Sequence, residues 1–161
     1  MKLDEEFHLY ETDRATAYLK AKGAPDGMMV ANADVTVFGE RWKPSADGMI
    51  HALIVPVCNA FEMVDLIAFD PKAPDQWYTR TGLHSMLGIV ELQRAILYGH
   101  LIVVHDTPLQ WLLSGGEGCC PLTMDSCVAF QGVGEIKASD RVFEMITERL
   151  EIEYPRPKKI Q

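Results

Sequence analysis

The sequence predicts an α/β fold: an N-terminal helix and a small mixed sheet, packed with a compact parallel β-α-β-α-β-α unit. Three observations lead there. First, two strongly apolar runs, 49–57 and 63–69, are separated only by a short polar turn, which is the spacing of antiparallel strands. Second, from Leu101 onward strand-like and helix-like segments alternate, the order that gives parallel pairing through right-handed crossovers. Third, the chain has 161 residues, of which 48% are hydrophobic, enough for one domain with a real core.

Each element follows from its local pattern. Phe7, Tyr10, Ala17 and Leu19 recur among charges and predict a helix over 5–22, stopped by Gly23 and Pro25-Asp26-Gly27. Val30, Val35, Val37 and Phe38 predict a strand over 28–38. The polar stretch 39–48, with Pro44 and Asp47-Gly48, reads as a turn. Strands follow over 49–57 and 63–69. Residues 71–74 read as a loop, and Asp75-Gln76-Trp77-Tyr78 as the opening of a helical turn. Leu83, Met86, Leu87, Val90 and Leu97 predict a helix over 83–97, with Gly99 as its stop. Strands are then expected at 101–104, 119–123 and 134–138. Helices are expected at 108–114, 125–130 and 140–151, the last capped by Ser139 or Asp140. The result is a single α/β domain over 1–161. Its sub-regions are a helix with mixed strands (1–70), a helical and parallel β/α part (71–154) and a tail (155–161), whose Arg156, Lys158 and Lys159 read as solvated.

Charge and cysteine usage exclude several classes. The formal net charge is −8, which does not support binding to nucleic acid. The longest unbroken apolar run, Ala52 to Cys58, is far short of a membrane span of about 20 residues. The N-terminus, Met1-Lys2-Leu3-Asp4-Glu5-Glu6, lacks a hydrophobic signal core, so a cytoplasmic protein is expected. In that setting Cys58, Cys119, Cys120 and Cys127 are expected as reduced thiols, with no zinc spacing among Cys119, Cys120 and Cys127.

The strongest candidate for chemistry is the junction at His105-Asp106. A strand ends there, and Thr107 and Pro108 start a helix as N-cap and first residue. Strand ends of this kind are where open α/β sheets bind ligands. His105 offers a base or metal ligand, Asp106 a carboxylate, and Asp70 ends a neighbouring strand. Helix initiation accounts for Asp106, whereas capping does not explain His105. Strand alternation would point the two to opposite faces. Asp106, Asp125 and Asp140 are expected on one sheet edge, either as ordinary caps or as an oxygen cluster able to hold Mg²⁺. Asp65, in the middle of a strand, is unusual. Trp42, Trp77 and Trp111 read as core or interface anchors rather than a base-stacking platform, since no basic groove surrounds them.

Leu113-Ser114-Gly115-Gly116-Glu117-Gly118 imitates the signature loop of ATP-binding cassette ATPases, but no phosphate-cradling G-x-x-x-x-G-K-[ST] occurs. The glycines there read as a helix stop and a turn. The pattern Val64-Asp65-Leu66-Ile67-Ala68-Phe69-Asp70-Pro71, Pro74-Asp75-Gln76-Trp77, Arg80-Thr81-Gly82 and Thr107-Pro108-Leu109-Gln110-Trp111-Leu112 is similar to uncharacterised proteins encoded in phage-like and mobile-element regions of alphaproteobacteria. The resemblance spans roughly residues 49 to 150 and implies a genomic context rather than a catalytic role.

Together these features favour a non-enzymatic accessory or interaction protein, with a protein partner or self-association and no cofactor. Two alternatives stay open. One is a Mg²⁺-dependent enzyme acting on nucleotide or nucleic acid through Asp70, His105 and Asp106. The other is a small-ligand binding module in the same crevice.

Overall fold

The run Ile50–Cys58 is buried from Ala52 through Val57 on both faces, and the fold of the first half follows from that burial. The structure is a computed structural model, and it describes residues 1–83, 86–150 and 156–161. The chain divides into two compact units, Met1–His84 with Leu112–Gly115, and Ser85–Trp111 with Gly116–Gln161.

The first unit is a closed barrel of five strands preceded by two helices. The helices are α1 (Leu3–Leu9) and α2 (Asp13–Ala21), and the strands are β1 (Ala31–Phe38), β2 (Arg41–Pro44), β3 (Ile50–Cys58), β4 (Met63–Phe69) and β5 (Trp77–Thr79). Around the barrel the order is β1-β2-β5-β4-β3, closed by β1 on β3. All pairs are antiparallel except β2 with β5. Alternation along β3 and β4 sends Ala52, Ile54, Leu66 and Ala68 into one core with Phe7, Ala31, Val35 and Trp42. Leu53, Val55, Val57, Ile67 and Phe69, of the other parity, are buried as well. Pro56 lies beyond Ile54, the last β3 residue paired with β1, so its missing N–H interrupts nothing in that ladder.

Several expectations change in this unit. The single helix over 5–22 is two helices, because Tyr10 turns away and its carbonyl accepts the Asn32 amide at 3.0 Å. The polar turn over 39–48 contains β2, whose Trp42 is fully buried and donates Nε1–H to the Leu66 carbonyl at 3.1 Å. The expected helical turn at 75–78 is instead β5, which pairs with β4 at Phe69↔Trp77.

In the second unit, α3 (Ile89–Tyr98) ends at Gly99 in the left-handed conformation, as the glycine predicts, but it starts at Ile89 and not at Leu83, because Met86–Leu87 is a strand and Gly88 is left-handed. Its strands are β6 (Met86–Leu87), β7 (Ile102–Val103), β8 (Cys120–Pro121), β9 (Glu135–Lys137) and β10 (Lys158–Lys159), with α4 beginning at Pro108 (Pro108–Leu113) and α5 over Asp140–Arg149. A 3₁₀ helix covers Asp125–Phe130. The core gathers Leu92, Ile102, Val104, Cys119, Phe130, Ile136, Val142 and Ile146.

The expected parallel β-α-β-α-β-α unit does not form. β7, β9 and β10 do pair in parallel, in the order β10-β9-β7. The middle strand of the expected unit is missing from that sheet: β8 pairs antiparallel with β6 instead. Half of its two residues is Pro121, which has no amide to give a central ladder. Its approach is a single bridge, Val104↔Cys119, made possible by Gly118, where a Cβ would collide with the Val103 carbonyl oxygen. The tail is not a free extension either, although Arg156 and Lys158 are exposed as expected. Pro157 is buried, and Lys158 and Ile160 donate backbone N–H groups to Gly134 and Ile136 at 2.8 Å. The expected end of the last helix at Glu151 lies outside the described residues.

Candidate functional site

The parallel pair β7–β9 ends in a groove of about 340 Å³ within the second unit. Val104, His105, Asp106 and Gln110 line it from the β7 side, and Lys137 and Ser139 from the β9 side, with Lys159 beside them. His105 and Asp106 therefore share one groove, against the alternation expected for strand neighbours. The reason is that β7 stops at Val103, so the pleat no longer dictates where these two side chains point.

Each polar group can be followed to its partner. Thr107 Oγ1 accepts the Gln110 amide at 3.2 Å, the N-cap bond expected of it. His105 Nε2 meets the Glu117 carbonyl oxygen at 2.8 Å. A carbonyl only accepts, so Nε2 carries the proton and Nδ1 of the neutral ring presents a lone pair. Asp106 Oδ1 accepts from Ser139 Oγ at 2.6 Å and from Arg141 Nη2 at 3.4 Å. The same Ser139 hydroxyl caps α5 by accepting the Val142 amide at 3.3 Å. Gln110 Oε1 accepts the Asp106 amide at 3.0 Å.

The other strand-end carboxylates do not join this group into a cation site. Asp140 pairs with Lys159, whose ammonium holds its carboxyl below the usual carboxylate range. Asp125 faces Arg149 at 3.7 Å. Each of Asp106, Asp125 and Asp140 thus has its own basic partner, and no three potential metal ligands converge among the described residues. Asp70 belongs to the first unit, where its carboxylate accepts the Lys72 amide at 2.8 Å and shapes the turn after β4.

Asp65 has a different role from a site residue. It is fully buried, and it accepts the amides of Leu66 and Thr81 at 2.8 Å and of Gly82 at 3.0 Å. A buried carboxylate with three N–H donors is a structural clamp, fastening the segment after β5 to β4. Burial pushes the thiols of Cys119 and Cys120 well above the usual range, and that of Cys127 up to about 11. Thiols so held stay protonated and are poor nucleophiles. Trp111 Nε1 donates to the Gly118 carbonyl at 3.3 Å, fixing the glycine turn instead of offering a free ring edge.

A second feature, in the first unit, is nearly silent in the sequence. A groove of about 870 Å³ runs between the start of α1 and the β3–β4 turn, lined by Met1, Leu3, Met29, Cys58, Phe61 and Met63 among others. Phe61 is 96% exposed at the tip of that turn. The tip is held by Asn59, whose Oδ1 accepts the amides of Phe61 at 2.8 Å and Glu62 at 2.9 Å. The only sequence signal is one aromatic residue inside a polar turn. No helix among the described residues is long and apolar enough to cross a membrane.

Compared with protein-family models, with curated proteins and with solved structures, the chain has no match.

Proposed function

We propose that this is a non-enzymatic interaction protein that self-associates through the Phe61 patch, an accessory role of the kind its resemblance to phage-like and mobile-element proteins implies. The observation that carries the reading is Phe61 itself, an aromatic ring almost wholly in water on a turn already fixed by Asn59. Aromatic anchors dominate interface energies, and a preformed turn loses little entropy on docking. Methionines beside it supply an adaptable apolar floor.

A second copy of the chain is the occupant that fits. The groove's ionic lining has both signs, Lys2 and His8 against Asp4 and Glu62. Such a rim matches itself when a two-fold axis sets one copy against another, because an isologous contact needs a self-complementary patch. An acidic or basic partner would leave half of these charges opposed by their own sign.

Support for the enzyme alternative is weaker, since the carboxylates of Asp70 and Asp106 both have hydrogen-bond donors of their own. Cys58 supplies a local test, because it lines the groove and is an exposed residue, unlike the other three cysteines. The rate of Cys58 alkylation should fall as protein concentration rises, and this dependence should vanish in Phe61→Asp. A rate independent of concentration, equal in both proteins, would refute self-association at this patch.

A further inference from the structure

The polar groove of the second unit keeps four open hydrogen-bonding positions after its internal bonds are made. The Lys137 ammonium makes no hydrogen bond or ion pair with any described residue, although the residue lines the groove and is exposed. Gln110 commits its Oε1 to the Asp106 amide, which leaves its NH₂ as a donor. Asp106 receives Ser139 and Arg141 on Oδ1 alone, leaving Oδ2 as an acceptor. His105 commits Nε2–H to Glu117, leaving Nδ1 as a second acceptor. Donors and acceptors therefore lie in one groove at the carboxyl ends of parallel strands, the region where α/β sheets receive ligands.

We infer that this groove binds a small hydroxyl-bearing organic phosphate, with the phosphate on Lys137 and Gln110 and a ligand hydroxyl donating to Asp106 or His105. The ammonium and the amide NH₂ only donate, so they require an acceptor, and an anion is the acceptor that gains most from the free charge of Lys137. The carboxylate oxygen only accepts, so it requires a donor, which the dianion of a phosphate ester lacks and a hydroxyl elsewhere on the ligand supplies. Arg141, 3.4 Å from Asp106 Oδ1, offsets part of that carboxylate's charge. The volume of about 340 Å³ suits a ligand of a few carbons. This inference is independent of self-association, because all of its residues belong to the second unit.

The test titrates the full chain with glycerol 3-phosphate, inorganic phosphate and glycerol while backbone amide resonances are followed. Glycerol 3-phosphate should give saturable shifts confined to residues 105–110 and 137–141. Inorganic phosphate should bind several-fold more weakly, and glycerol should give no saturable shift. Lys137→Gln, an exposed change that leaves the fold intact, should weaken glycerol 3-phosphate binding about tenfold or more. Asp106→Asn keeps an oxygen for Ser139 and should erase the preference over inorganic phosphate. The inference is overturned by absence of saturable shifts up to about 20 mM ligand, by unchanged binding in Lys137→Gln, or by equal affinity for inorganic phosphate and glycerol 3-phosphate.

Discussion

Arg80 donates Nε–H to Glu6 Oε1 at 2.8 Å, joining α1 to the segment after β5 across 74 positions of sequence. The Glu6 carboxylate is buried, with only 7% of its side chain exposed, and Tyr10 donates its hydroxyl to the same oxygen at 3.0 Å. The guanidinium also lies 5.6 Å from the Trp42 ring centroid. Replacing Arg80 by Met leaves a buried carboxylate without its cation. The expected loss is about 2 kcal/mol, below the usual range for a buried pair because Arg80 is itself a third exposed. Adding Glu6→Leu to Arg80→Met should recover most of that loss, since no unpaired charge remains. Urea denaturation of the wild-type, single and double variants measures it.

Tyr10 sets an alkaline limit in the same cluster. Burial, followed by the bond to Glu6 and its negative charge, pushes the Tyr10 phenol up to about 12 from 10.0. A group whose folded value is raised stabilises fully below its unfolded value, and that contribution is lost as pH rises through the folded value. Stability should therefore fall between pH 10 and about 12, and Tyr10→Phe should flatten that part of the profile. Thermal melts across this window check the difference in slope.

The thiols should separate by position. In dilute native protein at mildly alkaline pH, a thiol reagent should modify Cys58 alone and slowly, since it is the exposed cysteine although burial pushes its thiol up as well. Cys119, Cys120 and Cys127 should react only after unfolding, when all four cysteines of the chain are titrated. The stoichiometry before and after adding denaturant measures this directly.

Gly118 is, with Gly88, one of the two tightest glycines of the second unit. Its φ of +75° and the Val103 carbonyl oxygen packed directly against its Cα leave no room for a side chain. Gly118→Ala should cost about 2 kcal/mol or more, against a small effect for Gly134→Ala, where a methyl meets nothing within 4 Å. Parallel melts of the two variants decide the comparison.

The long periodic elements are legible in the residues themselves. Met63–Phe69 is a strand over the expected span, α5 starts at Asp140 behind a Ser139 cap, and Gly99 stops α3. The barrel is not legible, because its closure runs through Arg41↔Thr79, a pairing between two strands of four and three residues. Strands that short show no period, and Trp42, the one buried residue of β2, looks like part of a turn until its burial is seen. The shared groove of His105 and Asp106 is hidden for a related reason: the end of β7 depends on where Cys119 and Lys137 hydrogen-bond it. Asp65 stands out in sequence as a carboxylate within a strand, but its donors, Thr81 and Gly82, come from a distant loop.

Self-association also carries a salt dependence. With a net charge of −8 on each chain, two copies repel at long range, so moderate salt should strengthen pairing by screening. A contact held mainly by the Lys2, Asp4 and Glu62 rim would weaken instead. Light scattering at low and moderate ionic strength distinguishes the two.

Sedimentation equilibrium of the wild type and Phe61→Asp, over about 1 µM to 1 mM protein, tests self-association through the Phe61 patch most directly. The wild type should rise from monomer toward dimer mass with concentration, while Phe61→Asp stays monomeric with an unchanged melting temperature. A wild type that remains monomeric throughout, or a Phe61→Asp variant that associates as strongly as the wild type, would contradict it.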